Sequence, residues 1–128
     1  MMPPDSPSDE SGRLPAGGAV SAETVRVLRE ATGEEAYAQI RAEFLSSTEC
    51  RLAAMARAAE GDDAEALRRA AHALRGASGS LGAIGLEAHC RALEASLAAG
   101  MPPGERPAAV ARMTAEFAAV RRALLEEP

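Results

Sequence analysis

Aromatic side chains are nearly missing from this 128-residue chain, which has no Trp, one Tyr and two Phe. Hydrophobic residues still make up 47 % of it, much of that alanine. A composition so rich in alanine and poor in aromatic and β-branched residues favours close-packed helices over sheet. Basic residues are in deficit as well: 14 Lys plus Arg against 19 Asp plus Glu leave a formal net charge of −5. Without a basic surplus to neutralise phosphates, the charge argues against general nucleic-acid binding, though it leaves room for a local basic patch. The two cysteines, Cys50 and Cys90, do not make a disulfide framework and are expected as free thiols. No run approaches the roughly 18 apolar residues of a membrane span. Met1-Met2-Pro3-Pro4-Asp5 lacks the basic start and apolar core of a signal peptide. The expected protein is cytoplasmic, with neither a membrane nor nucleic acid among its partners.

What is present is organised by glycine and proline. The length suits one domain with one core, and no internal repeat is visible. Residues 1–20 carry Pro3, Pro4, Pro7 and Pro15 among Ser, Gly and Asp. That composition cannot bury a core and is read as a disordered tail ahead of a domain over residues 21–128. Ser21 is placed to cap a short helix running to Thr32, with Gly33 as its stop. Tyr37, Ile40, Phe44, Thr48, Leu52, Met55 and Ala59 recur at three- and four-residue steps, which predicts a long helix from Glu34 to Ala59 that ends at Gly61. Asp62-Asp63-Ala64-Glu65 resembles a capping box, with Asp62 as cap and Glu65 at the third position. The helix it opens ends near Ser80–Gly82. Leu86, Cys90, Leu93 and Leu97 mark a further helix over 84–99, which Gly100-Met101-Pro102-Pro103-Gly104 breaks. Val110, Met113, Phe117, Val120 and Leu124 mark a last one, with Pro107 in its first turn. Four long amphipathic helices with short connections predict an all-α, antiparallel four-helix bundle with a short extra N-terminal helix.

The segment from His72 to Gly82 concentrates the unusual features. On a helix stepping about 100° per residue, Ala71, Leu74, Ser78 and Leu81 fall within about 40° of Leu67, the centre of the buried stripe. His72 falls about 140° from that centre, facing solvent, with Gly76 and Gly79 within about 40° of it. Each helix-interior glycine costs about 1 kcal/mol relative to alanine. In a chain that uses alanine freely, two glycines beside an exposed histidine suggest a surface kept open for another protein. A free imidazole has a pKa of about 6.5, so it is largely neutral at cytoplasmic pH. A neutral ring nitrogen is a competent nucleophile towards phosphorus. Arg75 lies one turn after His72, and Arg68 and Arg69 one turn before it. Together they form a local cationic patch able to hold a phosphoryl group or steer an acidic partner. The bland alternative is an exposed histidine without a role, beside arginines that pair with Glu65.

The residues His72-Ala-Leu-Arg-Gly-Ala-Ser-Gly-Ser-Leu-Gly-Ala83, continued by Leu86, Cys90, Leu93 and Glu94, resemble a family signature. It is that of histidine-containing phosphotransfer (HPt) domains: H-x-L-K-G-S/A-S/A-x-x-L-G-A followed by L-x-x-x-C-x-x-L-E. The resemblance implies that His72 accepts a phosphoryl group from the aspartate of a response-regulator receiver domain and passes it to another receiver. It implies receiver domains as partners, together with a hybrid histidine kinase, and a monomeric carrier. Arg75 stands where the family more often has lysine, keeping the charge but not the compact ammonium. Gly76 and Gly79 would give the receiver access. Ser78, on the inner side, would pack or hydrogen-bond within the bundle. Glu94 matches a position where some members have a glutamine or glutamate touching the histidine. There it would accept the ring Nδ1–H and leave Nε2 as the nucleophile. No cofactor is expected on this chain; Mg²⁺ would belong to the acidic pocket of the receiver.

Three other readings compete. The dimerisation-phosphoacceptor helices of a histidine kinase typically place an acidic residue after the histidine and a proline a few positions on. Here Ala73 follows, and the helix contains no proline. The chain also lacks glycine-rich nucleotide boxes, so it is expected to be a carrier without ATP-dependent autokinase activity. A metal site would draw on His72, His89, Cys90 and Cys50. No zinc-type ligand spacing appears, though, and adjacent His89 and Cys90 diverge by about 100° on a helix. The third reading is a bundle that binds receiver or kinase domains as an adaptor without transferring phosphate.

Overall fold

The computed structural model describes residues 19–126, and every regular element among them is helical. In chain order these are α1 (Ala22–Thr32), α2 (Glu34–Glu60), α3 (Ala64–Leu81), α4 (Ile84–Ala98), a 3₁₀ turn (Pro103–Glu105) and α5 (Arg106–Leu125). Connections of two or three residues between α2 and α3 and between α3 and α4 force antiparallel neighbours. Each of α2, α3, α4 and α5 packs on two others in ring order, and α1 lies across α2 and α3. The predicted antiparallel four-helix bundle with a short N-terminal helix is therefore the observed architecture. No described helix is long and apolar enough to cross a membrane.

The stripes read from the sequence meet at the bundle axis. Leu67, Ala71 and Leu74 of α3 are fully buried, as are Met55 of α2, Leu86 and Cys90 of α4, and Val120 and Leu124 of α5. With so few aromatics, aliphatic and methionine side chains fill the interior, and both phenylalanines, Phe44 and Phe117, join them. Pro107 sits in the first turn of α5, where its missing N–H costs nothing.

The structure corrects the reading at three places. First, Asp63 rather than Asp62 caps α3: its carboxylate accepts from the Ala66 N–H at 3.1 Å. Asp62 takes the left-handed turn conformation at φ 63° and accepts from Arg106 Nη1 at 3.0 Å. That distant partner decides between two adjacent aspartates, so Glu65 is not at the third position and no capping box closes. Second, Ile40 is 39 % exposed. At that level of α2 the inward position belongs to Arg41, whose guanidinium lies over the buried Tyr37 ring at 5.6 Å and donates to the Leu124 carbonyl. Third, Ala19 and Val20, grouped with the tail by composition, are part of the bundle. Ala19 is buried, and its carbonyl accepts from the Gly85 N–H at 3.1 Å. The rest of the expected tail, residues 1–18, lies outside the described residues.

The α3–α4 turn fixes the chain entry. Gly82 ends α3 at φ 85°, and its carbonyl accepts from the Ser21 N–H at 2.7 Å. A Cβ there would stand 2.9 Å from Thr24 Cβ on α1. Gly82→Ala therefore combines the left-handed cost of an L-residue with a clash between two elements, about 2 kcal/mol or more. The expected result is a fall in Tm of about 8 °C or more by thermal circular dichroism. An unchanged Tm would mean that α1 is not seated on this turn.

Candidate functional site

His72 stands on the outer face of α3, its imidazole 63 % exposed. It is held there because Leu67, Ala71, Leu74 and Ser78 commit the opposite face of the helix to the core. The ring is not free to turn. Its Nδ1 lies 2.8 Å from Oε2 of Glu94, which reaches across from α4. The other oxygen of the same carboxylate, Oε1, accepts from Arg75 Nε at 2.5 Å. Arg75 Nη2 is also 3.2 Å from His72 Nδ1. The two contacts at Nδ1 demand opposite tautomers, and the shorter decides between them. A bare nitrogen 2.8 Å from a carboxylate oxygen would set two acceptors against each other, so Nδ1 carries the proton and donates to Glu94. In the neutral ring Nε2 is then the nitrogen with the free lone pair, on the side of the ring away from the Nδ1–Glu94 bond.

Glu94 is the least exposed member of this group, at 18 %, against 32 % for Arg75. Burial pushes its carboxyl pKa up, but the hydrogen bonds from His72 and Arg75 and the charge of Arg75 outweigh that and hold it below the usual range. It stays an anion, able to accept from both neighbours.

The remaining residues of the expected site divide. Gly76 is exposed, and a Cβ added to it would meet nothing within 4 Å, so the surface beside His72 is open there. Gly79 is not open in this way: a Cβ would stand 3.1 Å from Glu87 Oε2, because the α4 carboxylate lies over it. The space that Gly79 leaves is taken by Glu87 at the α3–α4 seam. Arg68 and Arg69 do not gather round His72 either. Arg68 is paired with Glu65 at 2.6 Å and Arg69 with the same carboxylate at 3.4 Å. This is the bland alternative for that pair, and it leaves Arg75 as the cation in contact with the histidine. Ser78 is fully buried, as its place on the inner side required.

Sequence reasoning missed Glu87 and Arg91. They pair at 3.1 Å, two turns and one turn before Glu94, extending a charged seam along α3 and α4. Their spacing of four residues is a readable helix-surface signal, but which neighbouring helix they would flank is not.

Residues 39–123 match the family model described as Hpt domain. The chain belongs to the Hpt domain family. It is thus a histidine phosphotransfer protein of the phosphorelay type. The Hpt fold is also similar to the crystal structure of histidine-containing phosphotransfer protein B (HptB) from Pseudomonas aeruginosa PAO1. The TM-score is 0.77 at 32 % sequence identity, over 84 % of this chain and 91 % of that one. A comparison with curated proteins returned no match.

The residues weighed for a metal site are not gathered together in this Hpt bundle. Cys50 is exposed on α2, while Cys90 is buried in the core, where burial pushes its thiol up to about 12. Among the described residues, no three or more His, Cys, Asp or Glu side chains are grouped to hold a metal ion. His89 faces α5 instead, with Nε2 3.9 Å from Glu116 Oε1.

Glu116 is a buried carboxylate that the sequence did not announce, and its Oε2 has no hydrogen-bond partner. Burial raises its pKa above the ordinary value. A carboxyl with a raised folded pKa favours the folded state below its unfolded pKa, about 4.3, and that advantage is lost as pH rises through the folded value. Glu116→Gln is therefore expected to be the more stable protein at pH 8, by about 1 kcal/mol, with the gap closing towards pH 4. Urea melts across that range test it; a gap that does not change with pH contradicts it.

Proposed function

We propose that His72 is the phosphoacceptor, taking a phosphoryl group from the aspartyl phosphate of a response-regulator receiver and passing it to the aspartate of another receiver. The observation that carries this reading is the exposed imidazole whose Nδ1–H is held by Glu94. The other ring nitrogen, Nε2, is left without a partner by that bond on a 63 % exposed side chain, and the helix surface one turn on, at Gly76, is open. In the step itself, the Nε2 lone pair forms the N–P bond while the P–O bond to the aspartate breaks. The electron pair leaves with the carboxylate, and Nδ1 keeps its proton. Onward transfer to a second receiver is the reverse, with a new carboxylate oxygen attacking phosphorus.

The surroundings support a protein partner rather than a small-molecule donor. His72 lies on a convex helix face, not in a pocket. About 7.5 Å further along α3, Ala77 opens a groove of about 530 Å³ between α1, α2 and α3. Leu28, Ile40, Phe44 and Leu81 give it an apolar wall. The groove lies round the helix from His72, so a receiver that packs an apolar segment there must also span the crest of α3 to set its acidic pocket over His72. Mg²⁺ would arrive with that pocket. A hybrid histidine kinase carrying its own receiver would use the same face.

The test is a two-step relay. The protein, labelled from one phosphorylated receiver and repurified, is mixed with a second, unlabelled receiver. The reading expects the label to move onto the second receiver. Label that stays on the chain, or appears only as inorganic phosphate, overturns the onward transfer, and a chain that takes up no label from any receiver is the non-transferring adaptor.

A further inference from the structure

The cation next to a phosphoacceptor is naturally assigned to the phosphoryl group, yet the geometry around Arg75 assigns it differently. All 14 basic residues of the chain are arginines, so arginine at 75 carries no message by its type. Its contacts do. Arg75 Nε is committed to Glu94 Oε1 at 2.5 Å, a shorter bond than the 2.8 Å between Glu94 Oε2 and His72. The carboxylate is thus held at both oxygens, one by the cation and one by the ring. Glu94 alone would fix the tautomer but would also leave an uncompensated negative charge across the ring from Nε2, close enough to repel an incoming group of the same sign through the partly desolvated seam. With Arg75 in place, the carboxylate is neutralised and anchored, and it keeps its hydrogen bond to the ring.

We infer that Arg75 is a positioning residue that serves His72 through Glu94, by cancelling the charge of the carboxylate that orients the ring, and not by binding the phosphoryl group. The inference rests on His72 being the phosphoacceptor. It has two consequences. Loss of Arg75 harms uptake only while Glu94 is a carboxylate. The harm is also electrostatic repulsion at a partly exposed site, which salt screens.

The experiment is a double-mutant cycle of wild type, Arg75→Met, Glu94→Gln and Arg75→Met/Glu94→Gln. Phosphoryl uptake from a phosphorylated receiver is measured at low and high salt, with melting curves to confirm folding. Methionine keeps the apolar stem that packs at the α3–α4 seam. The expected result is that Arg75→Met slows uptake by about tenfold in the wild-type background and by less than about twofold in the Glu94→Gln background. The first penalty is expected to shrink, relative to wild type, as salt rises. Equal penalties in both backgrounds, or a penalty that salt does not relieve, would overturn the inference and return Arg75 to direct phosphate contact. The same four proteins are compared by the ¹⁵N signals of the His72 ring, which need no phosphate chemistry. Arg75 Nη2 also lies 3.2 Å from Nδ1, so Arg75→Met shifts those signals in either background. The shift is expected to be larger when Glu94 is present, and a shift of equal size in the Glu94→Gln background contradicts the coupling. A wild type that takes up no phosphate but shows the ring coupling would remove the proposed function and leave the Arg75–Glu94–His72 linkage standing.

Discussion

Replacing His72 by glutamine is expected to abolish phosphoryl uptake while the melting transition stays where it was. Both halves follow from one position. The imidazole is 63 % exposed and is bonded only at the rim of the bundle, so the core loses no packing. The effect on stability should fall within about 0.5 kcal/mol, as for surface substitutions generally. Glutamine still offers a hydrogen-bond donor to Glu94, which protects that carboxylate from being left unpaired. It has no nitrogen lone pair fit to attack phosphorus, so the chemical loss should be complete rather than partial. Calorimetry and uptake assays on the same preparation check both halves. A large fall in Tm would mean that the ring is part of the core, and residual acid-labile label would mean that another residue accepts the group.

The second large effect is expected at Gly76. Its Cβ position is empty to 4 Å, and its backbone is ordinary helix, so a side chain there meets no strain within the protein. Gly76→Gln should raise stability by about 0.5–1 kcal/mol through restored helix propensity. The same side chain projects into the space that an approaching receiver must use. Displacing the donor phosphorus by about 1 Å is enough to slow transfer on the order of a hundredfold. A more stable but nearly inactive variant separates access from folding, and native-rate uptake by Gly76→Gln would show that the open surface has no function. Gly79 is the contrast, since Glu87 already occupies its open side. Substitution there should disturb the α3–α4 seam rather than the partner.

Much of this site was legible because α3 is a regular helix with one buried stripe. The 3.6-residue period places Leu67, Ala71, Leu74, Ser78 and Leu81 inward, and the outward position of His72 follows with no tertiary information. Glu94 was reached through the spacing of the family signature, and the 2.8 Å contact to Nδ1 shows why that spacing works across the α3–α4 turn. What stayed hidden were choices made by distant partners. Asp62 and Asp63 are equivalent as caps by type, and Arg106, 44 residues beyond Asp62, settles which one caps α3. Ile40 and Arg41 differ in polarity in the expected direction, yet Tyr37 and the α5 carbonyl draw the arginine inward. Arg68 and Arg69 lie within reach of either His72 or Glu65 on a helix, and the structure pairs both with Glu65. A carboxylate such as Glu116, beside an apolar stripe, reads as surface until the neighbouring helix covers it.

The central claim is that one nitrogen of one histidine carries the phosphoryl group. The most direct measurement is incubation of the intact protein with a panel of phosphorylated receiver domains. It is followed by intact mass, by the stability of the added group in acid and base, and by fragmentation to locate it. The predicted result is a single added phosphate, labile in acid and stable in base, located on His72. A phosphate that survives acid, or one located on any other residue, or no uptake from any receiver in the panel, would contradict the account.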